Sequence, residues 1–397
     1  MTSLAGKKGR SMNFDLSDEQ QMLQDSVQRF VQKNYTFEHR RKLASRGDGF
    51  SRDMWRTFGE MGWLGVAVPE AFGGPGFTAV ESALVAEQLG RALVLEPYVM
   101  CGVFPAALVT RCASGGQRDA LLAEIISGEA VIAVAHSERE ARGAVSHVST
   151  TARLIPGGRW RLDGRKTLVV GAPVADRLIV VARVAGGVRD EAGVALFVVD
   201  PYEAGVMLEP YRLLDGTPAA NMVLDGVTVE ATAAVGIPGE TLLGLQLAVD
   251  EAIVASCAEL VGDIDDTIEL TSEYLKTRKQ FGVPIGSFQA LQHRIADMAI
   301  DAMQARATLH RALRALADDD AMRSVEVSGC KAQTIRSGKF VSQQGIQLHG
   351  GYGITDEYKV GHHYRRVLIV DALFGNMEYH LNRYARQIQA DARAMAA

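Results

Sequence analysis

The sequence predicts an α+β protein: an N-terminal helical domain, a middle β-barrel or sandwich, and a C-terminal four-helix bundle. Three observations predict it. Apolar residues recur at helical spacing as far as about Gly128, the period shortens to two between about Ala130 and Val235, and helical spacing returns from Glu240 onward. Strands grouped between groups of helices make a segregated layout, not an alternating βαβ one. Domains are therefore placed at residues 12–129, 130–236 and 237–397, and 397 residues are enough for two or three such cores. Residues 1–11 are small, basic and Gly-bearing, which reads as a flexible leader without the apolar stretch of a signal peptide.

Taking the elements in order, Ser17 stands three residues before Gln20, a capping-box start, and an apolar face follows at Leu23, Val27, Phe30 and Val31. Further helices are expected near Arg52 to Met61 and from Ala79 to Leu93. The Pro/Gly-rich stretch from Val66 to Gly76 between them is either a connector or a functional loop. Pro156-Gly157-Gly158 before Arg159 to Gly164 reads as a hairpin. Leu178 to Val181, Val194 to Val199 and Asn221 to Leu224 are short β-branched runs and read as strands. Leu291, Ile295, Met298, Ala302, Ala305, Leu309, Ala312 and Leu316 form a continuous seam, as on a bundle helix, with Asp318-Asp319-Asp320 ending it. Another helix should cover Val325 to Gln347, and a last one Tyr379 to Ile388.

Composition narrows the function. With 47% hydrophobic and 22% charged residues and a net charge of -5, the chain offers no basic footprint for nucleic acid or an anionic membrane surface. No apolar run approaches the ~20 residues of a membrane span. Cys101, Cys112, Cys257 and Cys330 are scattered, which argues for a reducing, cytoplasmic setting and against structural zinc.

Two segments carry chemistry. From Tyr274 to His293 a helix should run to Gly282, turn through Pro284, and restart near Phe288. Arg278 either complements a helix end or serves as a forked phosphate donor beside a helix start, and Ser287 reads as an N-cap. From Gln343 to Tyr358 a helix ends in Gly350-Gly351-Tyr352-Gly353, more glycine than a C-cap needs, so backbone there is suited to approach a ligand. His349 reads as structural. No His, Asp or Glu partners it at ligand spacing, so no metal is expected.

Together the Arg278-x-Gln280-Phe281-Gly282 element, the Phe288-Gln289 pair and the Gln347-x-His349-Gly350-Gly351-x-Gly353 element resemble the acyl-CoA dehydrogenase family in order and spacing. With the helix–barrel–helix layout, the resemblance covers the chain from Met12. The run from Tyr274 to His293 and the Phe14-Asp15-Leu16 start look most like small subunits of two-component dehydrogenases of the pimeloyl-CoA type. The resemblance implies FAD, an acyl-CoA substrate, an electron-accepting partner, a place in fatty acid metabolism and a homo- or hetero-tetramer, possible partners including a larger dehydrogenase subunit. It implies that Arg278 pairs with the pyrophosphate, that Phe281 and Gln289 lie near the adenosine, and that Gln347, Gly350 and Gly351 approach from a neighbouring subunit. Asn376 counts with these cofactor contacts.

The departures concern the reaction itself. Family members remove the acyl α-proton with a carboxylate, in many of them a Glu before a Gly; here that position is Phe374, before Gly375. Others place the Glu on the helix before the Arg278 segment, where this chain has Ala252 and Ile253, with Glu251 one residue off as the remaining catalytic candidate. The family's Thr-Glu-Pro-Gly-type flavin loop appears as His136-Ser137-Glu138-Arg139, and its Trp-x-Thr contacts as Leu168-Val169-Val170. His136 is either a cofactor or substrate contact or an ordinary loop histidine. The readings kept open are a subunit whose base is supplied elsewhere, a self-sufficient homotetramer using Glu251 or an unrecognised carboxylate, a flavin monooxygenase or oxidase, and a non-catalytic subunit that completes a partner's cofactor site.

Overall fold

A computed structural model describes residues 16–318 and 322–396, with side chains through residue 389. The leader, the start at Met12 to Asp15, and Asp319 and Asp320 lie outside these. The first zone holds α1 (Asp18–Asn34), α2 (Phe37–Ser45), α3 (Arg52–Glu60), α4 (Ala79–Arg91), a π-helical turn (Tyr98–Val103), α5 (Phe104–Cys112) and α6 (Gly115–Ser127). The Ser17–Gln20 capping box forms as expected: Gln20 N–H donates to Ser17 Oγ at 3.2 Å and Ser17 N–H to Gln20 Oε1 at 3.0 Å.

The strands are β1 (Ile132–Ala135), β2 (Thr151–Ile155), β3 (Arg159–Val170), β4 (Arg177–Arg183), β5 (Val194–Val199), β6 (Val206–Arg212), β7 (Pro218–Val229) and β8 (Ala234–Gly239). They form one eight-stranded sheet in the order β6-β7-β3-β2-β4-β5-β8, with β1 parallel to β4. Its two halves meet at one parallel pair, Thr151 with Arg183, so the sheet is pinched in the middle like a sandwich whose layers share one corner. Register shifts in β3, between Leu162 and Gly164 and between Lys166 and Val169, are bulges that re-aim residues 167–168.

The last zone holds α7 (Leu242–Thr277), a short hairpin of β9 (Lys279–Gln280) and β10 (Val283–Pro284), α8 (Gln289–Ala317), α9 (Arg323–His349), α10 (Val360–Ala372) and α11 (Met377–Ala396). The central helix α9 packs on α7, α8, α10 and α11, so a fifth, shorter helix joins the expected four. Two details differ from the sequence reading. The helix expected to reach Gly282 stops at Thr277, because Phe281 and Gly282, both at positive φ, make a tight β-turn. Ser287 does not cap α8: its hydroxyl donates to Pro284 O at 2.7 Å, and Phe288 takes the N-cap place without a side-chain bond.

A buried polar network joins the zones. Arg366 of α10 binds Glu259 of α7 (Nε–Oε1 2.8 Å) and Asp215 of the β6–β7 loop (2.5 Å). Arg40 of α2 donates to Asp215 O at 2.7 Å and to Leu93 O at 2.9 Å. His363 donates from both ring nitrogens, to Asp263 at 2.8 Å and Asp266 at 2.7 Å. Burial opposes its charge, but the two carboxylates raise its proton affinity above the usual histidine value. Leaving any partner of such a network unpaired is costly, so the domain arrangement that positions the site is strongly specified.

Candidate active site and cofactor surfaces

Between the sheet and the bundle lies a cleft of about 720 Å³, walled by the loop after β1, the β3 bulge, Val249 of α7 and the α10–α11 turn. Its back wall is aromatic. Phe374 stacks on His136 (centroids 5.2 Å, planes 21° apart), and Phe104 of α5 meets both edge-on at 5.3 and 5.2 Å. Phe374 is 7% exposed and sits at φ 57°, a left-handed conformation that a side chain other than glycine rarely adopts. What holds it there is behind it. His380, fully buried, donates from Nε2 to Phe374 O at 3.1 Å and accepts from Ser328 Oγ at its other nitrogen at 3.3 Å. Burial, with Lys331 and Arg383 nearby, pushes that imidazole down to about 3, so it stays neutral and keeps this arrangement. Leu168, on the facing bulge, is also left-handed at φ 54°. Backbone strain thus concentrates on both walls of one cleft, a placement that marks functional sites.

The loop after β1 is fixed from below. Glu138 accepts from Lys166 Nζ at 2.7 Å, from Thr150 N–H at 2.9 Å and from Ser149 N–H at 2.7 Å. Burial works against the carboxylate, yet the Lys166 charge and these donors hold it down to about 2. The same lysine, added to burial, pushes His136 down to about 4. Sequence reasoning missed this pair, although Glu138 stood in the segment matched to the flavin loop and Lys166 lies two residues before Leu168. Asn376 borders the cleft, but its Oδ1 caps α11, accepting from Tyr379 N–H at 2.9 Å.

The other expected cofactor residues gather elsewhere, at one end of the bundle. Arg278 is exposed, and among the described residues its guanidinium has no partner. The adjoining turn projects Phe281, 91% exposed, beside Phe288 at 6.2 Å, and Gln289 opens α8. Gln347 lies on the last turn of α9, tied to this end because Tyr274 stacks on His349 at 4.4 Å. His349 is structural, as expected: Nδ1 donates to Gly345 O at 2.7 Å and Nε2 accepts from Tyr358 at 3.1 Å. A side chain at Gly353 would strike Ile346 O at 2.7 Å, but at Gly350 and Gly351 it would meet nothing of this chain within 4 Å. If those two glycines answer to a close approach, what approaches is not this chain. An unpaired guanidinium, an uncapped helix start and open glycines suit a dinucleotide pyrophosphate, so the residues present fit FAD.

Glu251 does not join the cleft. It pairs through both carboxylate oxygens with Arg111 of α5 and lines a different cavity, while Val249, two residues earlier and about 200° around the helix, lines the cleft. Burial raises its proton affinity and Arg111 opposes this, but it is turned away from Phe374. Glu251 and Phe374 therefore line different cavities.

The chain matches the acyl-CoA dehydrogenase N-terminal domain over residues 17–129, the middle domain over 133–227 and the C-terminal domain over 248–389. It is 28% identical over 387 residues to acyl-CoA dehydrogenase FadE27 of Mycobacterium tuberculosis, covering 95% of this chain and 99% of that one. The ChsE4-ChsE5 complex from Mycobacterium tuberculosis contains a chain 28% identical with a TM-score of 0.85, covering 95% and 99%. A Tcur3481-Tcur3483 steroid ACAD variant contains another, also 28% identical, with a TM-score of 0.84 and the same coverage. Among the described residues no helix is long and apolar enough to cross a membrane. Three consecutive domain matches on a helix–sheet–helix fold place the chain in the acyl-CoA dehydrogenase family of FAD-dependent oxidoreductases.

Proposed function

We propose that this chain is the base-free subunit of a two-component acyl-CoA dehydrogenase, a hetero-tetramer in which a larger partner supplies the carboxylate. The observation that carries this is Phe374, held left-handed by His380 at the position where family members keep a glutamate. Phenylalanine takes no proton. His136, stacked on Phe374 at the cleft wall, is held so far below the usual histidine range that it is a poor base for a weakly acidic thioester α-proton. Two of the similar structures are themselves pairs of different chains, one of them a steroid enzyme, which supports the heteromeric reading.

Bound FAD supplies the acceptor for the hydride leaving the β-carbon. Arg278 would pair with its pyrophosphate, Phe281 and Gln289 would lie near the adenosine, and Gln347, Gly350 and Gly351 would approach the dinucleotide from a neighbouring subunit. Phe104, His136 and Phe374 exclude water from the cleft, and the Lys166–Glu138 pair fixes the loop that carries His136. The test is purification of the chain alone and with a co-expressed larger dehydrogenase subunit, recording flavin content and acyl-CoA turnover. The expected result is negligible turnover alone and full turnover in the pair, because general-base catalysis is worth about 10²–10⁴-fold. Robust turnover by the chain alone overturns the reading.

A further inference from the structure

Two features flagged in the sequence have no part in that chemistry: Glu251 and the Pro/Gly-rich stretch from Val66 to Gly76. They meet at a cavity of about 390 Å³ between the N-terminal helices and the bundle, on the far side of α7 from the cofactor cleft. Its volume falls within the ~300–1,000 Å³ of small-molecule sites. The walls are mostly apolar: Trp63 and Leu64 before the loop, Val68 within it, Val103 at the end of the π-helical turn, Ala107 on α5 and Leu316 on α8, with Thr78, Ser82 and Thr110 also in the lining. The loop is a firm wall, closed by Gly76 N–H to Val68 O at 3.0 Å and Gly74 N–H to Pro69 O at 3.3 Å. A side chain at Gly74 would strike Val68 O at 2.1 Å, so the loop depends on that glycine.

The charged groups lining the cavity are Arg111 and Glu251. Arg111 Nη1 donates to Ala107 O at 3.0 Å and to Glu251 Oε2 at 3.3 Å, and Nη2 donates to Glu251 Oε1. This leaves Nε–H and one Nη2–H without an acceptor among the described residues. The pair is neutral as a unit, so it offers spare donors without a net charge. A ligand carboxylate would meet Glu251, and a ligand ammonium would meet Arg111; an uncharged acceptor meets neither penalty.

We propose that this cavity is a second ligand site, taking an uncharged, elongated apolar molecule with a carbonyl or hydroxyl head that accepts from Arg111. The proposal stands apart from the reading of the cofactor cleft, and its test does not use turnover. The purified full chain is titrated at neutral pH with 2-octanone and, separately, with octanoate, following tryptophan emission, because Trp63 forms part of the wall, and thermal midpoint. Saturable binding of one 2-octanone per chain is expected, with octanoate about tenfold weaker or more. Ala107→Trp and Leu316→Phe fill the cavity from opposite sides, and each should weaken 2-octanone about tenfold or more while circular dichroism stays unchanged. If one variant fails to fold, the other carries the test. Absence of saturable 2-octanone binding, octanoate binding as tightly, or affinity unchanged in a folded filled variant overturns the proposal.

Discussion

The two ends of the cofactor region are built on opposite principles. At the bundle end, Arg278, Phe281, Gln289 and Gln347 stand exposed, their polar groups and rings offered outward. At the cleft end, His136, Glu138, Lys166 and Phe374 are turned inward and committed to one another. The bundle end keeps the family's residue pattern; the cleft end departs from it at the flavin loop, the β3 bulge and the base position. The two ends depart from the family's residue pattern independently: it is kept at the bundle end and changed at the position of Phe374.

That comparison breaks most visibly at the buried pair. Lys166→Met strands the Glu138 carboxylate, and a loss of about 3–5 kcal/mol in unfolding free energy is expected by denaturant titration. The wild type carries the same dependence in its pH profile. Because the folded value of Glu138 lies below its unfolded value near 4.5, its contribution is present above that pH and is lost progressively toward about 2. Acid unfolding of wild type, set beside Lys166→Met, should show this window flattened in the variant.

Phe374→Glu returns a carboxylate to the cleft. A rise of about 10²-fold in acyl-CoA turnover by the chain alone is expected, the lower end of what a general base supplies, since the new side chain must displace the His136 stack. No rise would show that the cleft end is rebuilt beyond its base. Arg278→Ala should weaken FAD by about 1.5–3 kcal/mol, read as flavin occupancy in the assembled complex, with helicity and unfolding midpoint unchanged. The smallest effect belongs to Phe281→Gly. Removing a 91%-exposed ring costs little burial, and release of left-handed strain offsets the backbone entropy of glycine, so stability should move by less than about 1 kcal/mol. Flavin occupancy should still fall.

The segregated α+β layout was legible because period carries it: the seam from Leu291 to Leu316 is one face of α8, and Val194 to Val199 is β5. In the first half of that seam Leu291, Ile295 and Ala302 are only half-buried, while Met298 is fully buried. β1, four residues long, escaped because it is too brief to establish a period, and α2 and α10 went unread although they are as long as α3 and α4. The bundle-end residues were legible as motifs, because a pyrophosphate demands particular donors in local order. The cleft was legible only as departures. Phe374 could be named at the base position, but its left-handed backbone and the His380 bond behind it are products of packing between α9, α10 and α11, and no local pattern announces them. Glu251 shows the same limit: it stands one residue in sequence from a family position, yet one residue on a helix is about 100° of arc, and its side chain lines another cavity.

That last point gives α7 a meaning beyond packing. It is 36 residues long, about 54 Å at 1.5 Å per residue, and unbroken. Val249 faces the cofactor cleft, Glu251 the second cavity, Glu259 and Asp263 the interdomain network, and Tyr274 the stack beneath the glycine turn. A rod that indexes four separate places by angle tolerates substitutions far better than insertions. One residue added between Val249 and Tyr274 would advance everything beyond it by about 1.5 Å and rotate it by about 100°, putting the places before the insertion out of register with those after it. The interval from Val249 to Tyr274 is in this sense a gauge length: the count between its contact residues is fixed, and amino-acid identity is free to drift only at positions that face none of the four places.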